Sequence, residues 1–176
     1  MIYTTGFFIT SNNEALNKVC KLAVDSNVPL AFNIAAPFLL QFCKDQVFEC
    51  LKHASFVFCN EDEANTYGAL FDIPKDDYDA IAKHICEREC ADENIKRHAI
   101  VTVGAKPIRW AHNGEVKQIE IDPIPKEDIV DTNGCGDSFV GGFLSKRCQG
   151  ATIEESIKHG IHMSSIVIKR AGCTFE

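Results

Sequence analysis

The chain has 176 residues, 45% hydrophobic and 24% charged, which suits a globular domain with one sizeable core. Lys and Arg total 18 against 25 Asp and Glu, a formal net charge of -7 with a pI near 5.4, so neither nucleic acid nor an anionic membrane is expected as the main partner. No apolar run reaches the roughly 18 residues of a membrane span.

Residues 1–9 (MIYTTGFFI) predict a strand, and Ser11 with Glu14 three residues later predicts a capping box opening a helix to about Asp25. No basic segment precedes the short apolar run, so the N-terminus reads as folded structure rather than a signal peptide, and a chain of the cytoplasm or nucleus is expected. The nine cysteines agree: an odd number spread through apolar segments without a CxxC pair predicts small, buried, reduced thiols. Cys86 and Cys90, four apart, are expected on one helix face, where His84 or His98 would be needed to complete a zinc site.

A second strand is predicted at Val28–Ile34, and Pro37 stands at a first helical position ahead of FLLQFCKDQVFECLKH, whose apolar residues recur on a helical period. A short buried strand follows at Ala54–Cys59, with Asn60 placed to cap the next helix. After Ile73-Pro74 come a charged helix over Asp76–Glu89, a polar loop over Ala91–Lys96 and a strand over His98–Gly104. Pro107–His112 and Glu115–Ile121 flank Asn113-Gly114, a hairpin turn. The chain finishes with DTNGCGD, a helix to about Arg147, and a second helix from Thr152 to about Arg170.

This alternation predicts an α/β fold: a doubly wound, mainly parallel sheet with helices on both faces and an antiparallel β-hairpin at one edge. Open sheets of this kind bind ligands beyond the carboxyl ends of their strands where strand order switches, so both halves of a sheet contribute to a site. Here about five strands precede the Gly-rich loop and nothing precedes the first.

The sharpest chemical feature is Asp131-Thr132-Asn133-Gly134-Cys135-Gly136-Asp137. Ordinary residue frequencies produce DTxGxGD by chance in roughly one such chain in ten thousand. Glycines around Cys135 let successive N–H groups point at one spot, and the helix that starts there adds its positive end, which makes an anion hole. Asp137, at the lip of the same turn, is placed to accept a hydroxyl proton as a general base. The competing reading is a tight loop with a capping Asp. Gly141 and Gly142 are expected to serve close packing of the helix on the sheet.

At these residues the sequence resembles the ribokinase-like family of sugar and nucleoside kinases, where DTxGAGD carries the anion hole and the catalytic Asp. The resemblance assigns those roles to Gly134, Cys135, Gly136 and Asp137, with Cys135 in place of the usual Ala, and places the nucleotide near Asp131, Thr132 and Asn133. Asn133 followed by GGFL, together with GFFIT (6–10), FNIAAPF (32–38) and IKRAGCTF (168–175), is similar to the adenosine-phosphorylating branch, and the resemblance covers the whole chain.

Further positions transfer by resemblance. Asn60-Glu61-Asp62-Glu63 matches the family's NxxE motif, which makes Asn60 and Glu63 organisers of magnesium and phosphate; from the residues alone the same pair is equally a capping box. Asn33 matches an Asn near the nucleotide phosphates, although a polar residue ending a strand looks the same. Thr102, Val103 and Gly104 match the strand end and loop beside the nucleotide. Lys126 stands where this branch commonly has an uncharged residue near the nucleoside, and Asn133 and Asp137 also face the substrate in the family. Ile161 falls where some members have His.

The implied activity is ATP-dependent phosphorylation of adenosine to AMP, a purine-salvage step, with magnesium. Members of the branch run to roughly twice this length, so the chain resembles the C-terminal, nucleotide-binding half of the domain, without the ribose-gripping Asp, the Gly-Gly segment and the lid. The complete form is expected to be a monomer and this chain to self-associate. Two other readings are a catalytically incompetent ATP- or phosphate-binding fragment and a sugar kinase of the same fold.

Overall fold

The computed structural model describes residues 1–172; Cys173 and the last three residues, which carry the end of the IKRAGCTF resemblance, lie outside the described residues. Element order is β1 (Ile2–Thr5), α1 (Phe7–Asp25), β2 (Leu30–Asn33), α2 (Pro37–Phe42), α3 (Lys44–His53), β3 (Phe56–Cys59), α4 (Glu61–Ala69), α5 (Tyr78–Glu87), β4 (His98–Val103), β5 (Lys106–His112), β6 (Glu115–Ile119), a 3-10 turn (Lys126–Asp128), α6 (Cys135–Cys148) and α7 (Ile153–Val167). The chain divides into two compact units. Met1–Gly104 with Ile108–Gln118 form the first, and Ala105–Pro107 with the chain from Ile119 onward form the second.

The expected alternation is met by a mixed six-stranded sheet flanked by helices, ordered β1-β2-β3-β4-β5-β6. The first four strands are parallel, with Thr4 opposite Phe32, Phe32 opposite Val57 and Val57 opposite Ala99. Strand order follows chain order, so right-handed crossovers carry α1 to α5 onto one face. There Leu30 and Phe32 of β2, Ile34 just beyond it, Val57 of β3 and Ala99 and Val101 of β4 form one core with Leu16, Leu39, Leu51 and Ile81 from the helices. The alternate residues Ala31, Phe56, Phe58 and Ile100 are buried too, the apolar pattern of strands covered on both faces. Asn113 and Gly114 both have positive φ (51 and 79°), as a two-residue hairpin turn requires, and a second tight turn at Gly104–Ala105 joins β4 to β5.

Several boundaries differ from expectation for local reasons. β1 ends at Thr5 because Gly6 has already turned helical (φ -58, ψ -25) as the N-cap of α1, in a space so tight that a Cβ there would collide with the Ile34 carbonyl. α1 therefore opens at Phe7, and its cap is not Ser11: the chain kinks at Asn12 (φ -160, ψ 84), whose Oδ1 accepts the Ala15 N–H at 2.9 Å. The helix expected after Pro37 is two helices, broken at Cys43 (φ -129, ψ 30). β6 stops at Ile119 and α7 at Val167.

α5 ends at Glu87, so Cys86 and Cys90 do not share a helix face. Beyond it the buried Arg97 guanidinium donates to the carbonyls of Ala54, Ile85 and Arg88 and to Cys90 Sγ (3.1 Å), while Cys86 Sγ donates to the Arg97 carbonyl. Carbonyls at helix ends thus absorb its charge and hold the 88–90 segment against it. Among the described residues no group of three or more His, Cys, Asp or Glu could hold a metal ion, and no helix is long and apolar enough to cross a membrane.

In the second unit α6 and α7 pack through glycine. A Cβ on Gly142 would lie 3.1 Å from Gly160 Cα and 2.7 Å from Met163 Cγ, and one on Gly160 would lie 2.7 Å from the Phe139 carbonyl oxygen. Gly142 thus serves a helix–helix contact with α7, rather than the expected packing on the sheet, whereas Gly141 faces open space. Thr152 caps α7 as expected, in a capping box with Glu155.

Candidate functional site

In the first unit the strands of the parallel sheet end together, and their carboxyl ends gather Asn33, Asn60, Glu63, Thr102 and Gly104. Asn33 ends β2, and its Oδ1 accepts the N–H of Ala35 at 3.2 Å. Ala35 is held at φ +73°, a left-handed conformation that costs an Ala about 1 kcal/mol, so the surrounding bonds must impose it. Asn60 and Glu63 form a complete capping box on α4: Asn60 Oδ1 accepts the Glu63 N–H (2.9 Å), Glu63 Oε2 accepts the Asn60 N–H (3.1 Å), and Glu63 Oε1 accepts Asn60 Nδ2 (2.9 Å).

Glu63 is only 3% exposed, and burial pushes its carboxyl up to about 7 against the opposing pull of the Asn60 and Ala35 N–H donors. Asn60 stays exposed, with its amide oxygen and nitrogen both bonded to Glu63. For Glu63 both oxygens are already used. That donor set does not make a protein cage for a metal. It suits a magnesium ion that arrives on nucleotide phosphates and keeps most of its waters, with Asn60 outward and Glu63 fixing it from behind.

Thr102 Oγ1 sits 3.5 Å from the Cys59 carbonyl, and Gly104 (φ +50°) turns the chain at a point where an added Cβ would lie 3.5 Å from Glu61 Oε1. Ala35 is the member that sequence reasoning missed. Nothing in an Ala signals a left-handed backbone, and only the carboxylate and amide around it create one.

In the second unit DTNGCGD folds as one turn into α6. Gly134 is the N-cap at φ +75° and ψ -3°, a conformation that glycine adopts without penalty, and its carbonyl accepts the Ser138 N–H at 2.8 Å as the first helical bond. The Cys135 N–H turns back to the Thr132 carbonyl (3.3 Å). Among the described residues the N–H groups of Gly136 and Asp137 have no hydrogen-bond partner, as first-turn groups of a helix do not. The donors left for an anion are therefore Gly136 and Asp137 more than Cys135.

Asp131 anchors this loop. Its Oδ1 accepts the Asn133 N–H (2.9 Å) and its Oδ2 the Gly172 N–H (3.1 Å), and these two donors hold its carboxyl below the usual carboxylate range. Cys135 is tied from α7, where Ser164 Oγ donates to its carbonyl at 2.7 Å. Thr132, Asn133, Gly136 and Asp137 are exposed at the turn, while Lys126 is exposed in the 3-10 turn upstream.

A left-handed glycine feeding a helix whose first N–H groups are open, with a carboxylate in that first turn, can bind an anion beside a proton acceptor. The model of the pfkB family of carbohydrate kinases matches residues 1–176, and the chain belongs to that family. Within it the chain is 40% identical over 173 residues to Adenosine kinase 1 of Arabidopsis thaliana, covering 98% of this chain and 50% of that protein. It is 33% identical to the adenosine kinase of Schizosaccharomyces pombe over 174 residues, covering 99% of this chain and 51% of that one.

Among solved structures, the adenosine kinase from Schistosoma mansoni in complex with 2-fluoroadenosine superposes with a TM-score of 0.95 at 30% identity, covering 99% of this chain and 52% of that one. The Anopheles gambiae adenosine kinase in complex with P1,P4-di(adenosine-5) tetraphosphate gives 0.92 at 34%, covering 97% and 51%. The chain thus spans about half the length of the curated relatives it matches, their C-terminal half.

Proposed function

We propose that residues 1–176 are the C-terminal, nucleotide-binding part of a kinase domain that phosphorylates adenosine at its 5'-hydroxyl with ATP, giving AMP and ADP in purine salvage. The observation that carries the reading is the opening of α6: Gly134 in the left-handed region, the unpartnered N–H groups of Gly136 and Asp137, and the Asp137 carboxylate in the same turn. Likeness to the adenosine kinases supports adenosine as the acceptor.

Asp137 takes the hydroxyl proton as the hydroxyl oxygen attacks the γ-phosphorus in line and the bond to the ADP oxygen breaks. The Gly134–Gly136 turn and the Asp137 N–H meet the charge that develops on the transferring group. Asn60 and Glu63 would hold a magnesium ion bound with the nucleotide, and that ion would neutralise further phosphate charge. The resemblance assigns Asn33, Thr102 and Gly104 to the nucleotide, Asp131 holds the Thr132–Asn133 turn, and Lys126 is assigned to the nucleoside. The complete protein acts as a cytoplasmic or nuclear monomer, and the 176-residue chain self-associates.

The test joins the N-terminal half of the Arabidopsis relative to residues 1–176 and compares the fusion with its Asp137→Ala variant. Loss of the base is expected to lower kcat by about 10²- to 10⁴-fold while ATP affinity stays within a few fold. A variant keeping more than a tenth of the parent kcat would remove Asp137 from the chemistry.

A further inference from the structure

The DTNGCGD turn is held from outside by the end of α7, and the proposed reaction leaves that hold without a role. The Ile168 carbonyl, at the C-cap of α7, accepts the Val130 N–H (2.8 Å) and the Asp131 N–H (3.2 Å) where the turn begins. One turn earlier in the same helix, the half-buried Ser164 donates from Oγ to the Cys135 carbonyl at 2.7 Å, where α6 begins. That carbonyl can take a second bond, because the helix ladder uses only one of its two lone pairs.

A glycine contact sets the reach of this bond. Gly160 packs against Phe139 so closely that a Cβ would meet the Phe139 carbonyl oxygen at 2.7 Å. Ser164 lies one turn on from Gly160 and Cys135 one turn back from Phe139, so the same antiparallel crossing brings hydroxyl and carbonyl together. Ser165, the next residue, instead donates its hydroxyl within its own helix, to the His162 carbonyl at 2.7 Å.

The Cys135 carbonyl and the Gly136 N–H belong to one trans peptide unit and so point in opposite directions. A donor that fixes the carbonyl toward α7 therefore fixes the Gly136 N–H away from it, out of the start of α6, where the Asp137 N–H is open as well. The same bond polarises the unit and makes that N–H a stronger donor. We propose that Ser164 is a positioning residue of the phosphate-binding turn: through the Cys135 carbonyl, its hydroxyl aims and strengthens the Gly136 N–H that meets the phosphoryl group. This role rests on the reading of the α6 start as the anion hole, and it adds to that hole a residue from outside DTNGCGD.

The test is calorimetric titration of the 176-residue chain with inorganic triphosphate, comparing Ser164→Ala with Ser165→Ala and with Ser164→Thr, which keeps a hydroxyl. Ser164→Ala is expected to weaken triphosphate binding by about three- to tenfold and Ser165→Ala to leave it unchanged, with Ser164→Thr restoring most of the loss. In the fusion protein Ser164→Ala should lower kcat by a similar factor while KM for adenosine stays constant. A merely structural bond would lower the melting temperature and leave the triphosphate affinity at its Ser165→Ala value. That result overturns the proposal, as does a loss of affinity that Ser164→Thr does not restore. Should Asp137→Ala keep the parent kcat while Ser164→Ala still weakens triphosphate binding, the proposed reaction fails and the positioning role stands. A parent chain that binds no triphosphate overturns both.

Discussion

The Glu63 carboxyl is pulled two ways, since the donors that fix it favour its charge and its burial opposes that charge, and burial wins. A carboxyl whose value rises from 4.5 in the unfolded chain to about 7 in the fold binds its proton more tightly when folded. Its contribution to stability is therefore complete below about pH 4.5, declines as pH rises toward 7, and is lost above it, by at most about 3 kcal/mol. Glu63→Gln keeps a capping-box partner for Asn60 but cannot ionise. The melting temperature of the parent chain is thus expected to fall between pH 5 and pH 7.5 more steeply than that of Glu63→Gln. Parallel curves would show that the carboxyl is not raised. If Glu63 also orients magnesium, the same substitution in the fusion protein raises the magnesium concentration for half-maximal rate, an effect that capping alone does not produce.

At the scale of elements, α6 and α7 are a pair set by two glycines with opposite neighbours from a third. Gly→Ala within a helix ordinarily gains about 1 kcal/mol. At Gly141, with nothing within 4 Å of the new Cβ, that gain should appear in full. At Gly160 the new Cβ would meet the Phe139 carbonyl at 2.7 Å and its ring at 2.8 Å, so α7 must move off α6, and overpacking of this kind costs about 1–3 kcal/mol. Chemical denaturation should therefore rank Gly141→Ala above the parent and Gly160→Ala below it, and a stabilised Gly160→Ala would mean that the two helices sit further apart than the structure has them.

Much of this architecture was legible in the sequence because its signals are local. Asn113-Gly114, the caps at Asn60 and Thr152, Pro37 at a helix start and the two glycines of DTNGCGD each fix their own backbone. What was not legible depended on partners distant in sequence. β1 stops at Thr5 because Gly6 turns helical in a space beside Ile34 that admits no Cβ, α5 ends early beside a guanidinium supplied by Arg97, and Ala35 is left-handed because residues on β2 and α4 hold it. Gly142 and Gly141 look alike in sequence, and only the helix crossing separates them.

For the whole molecule, the groups assigned to the candidate site are unevenly distributed. Every one read here as acting on phosphate is a main-chain N–H, an amide or a carboxyl that local structure already fixes: the Gly136 and Asp137 N–H groups by the start of α6, and Asn60 and Glu63 by their capping box. Phosphate affinity of that kind needs no other part of a domain. Acceptor chemistry does, since orienting a hydroxyl against a phosphoryl group supplies about 7–11 kcal/mol of the barrier reduction, and no group among the described residues has been assigned to grip a ribose. The 176-residue chain by itself is therefore expected to bind ATP weakly, to release it on addition of inorganic triphosphate but not of adenosine, and to form AMP from adenosine no faster than its Asp137→Ala variant. Calorimetric titration and a coupled ADP assay read the two halves of this prediction separately. Displacement of ATP by adenosine, or AMP formation that depends on Asp137, would mean that residues 1–176 build an acceptor site of their own, and the search for it would begin at the exposed Thr132–Asn133 turn, which the Asp131 carboxylate already holds.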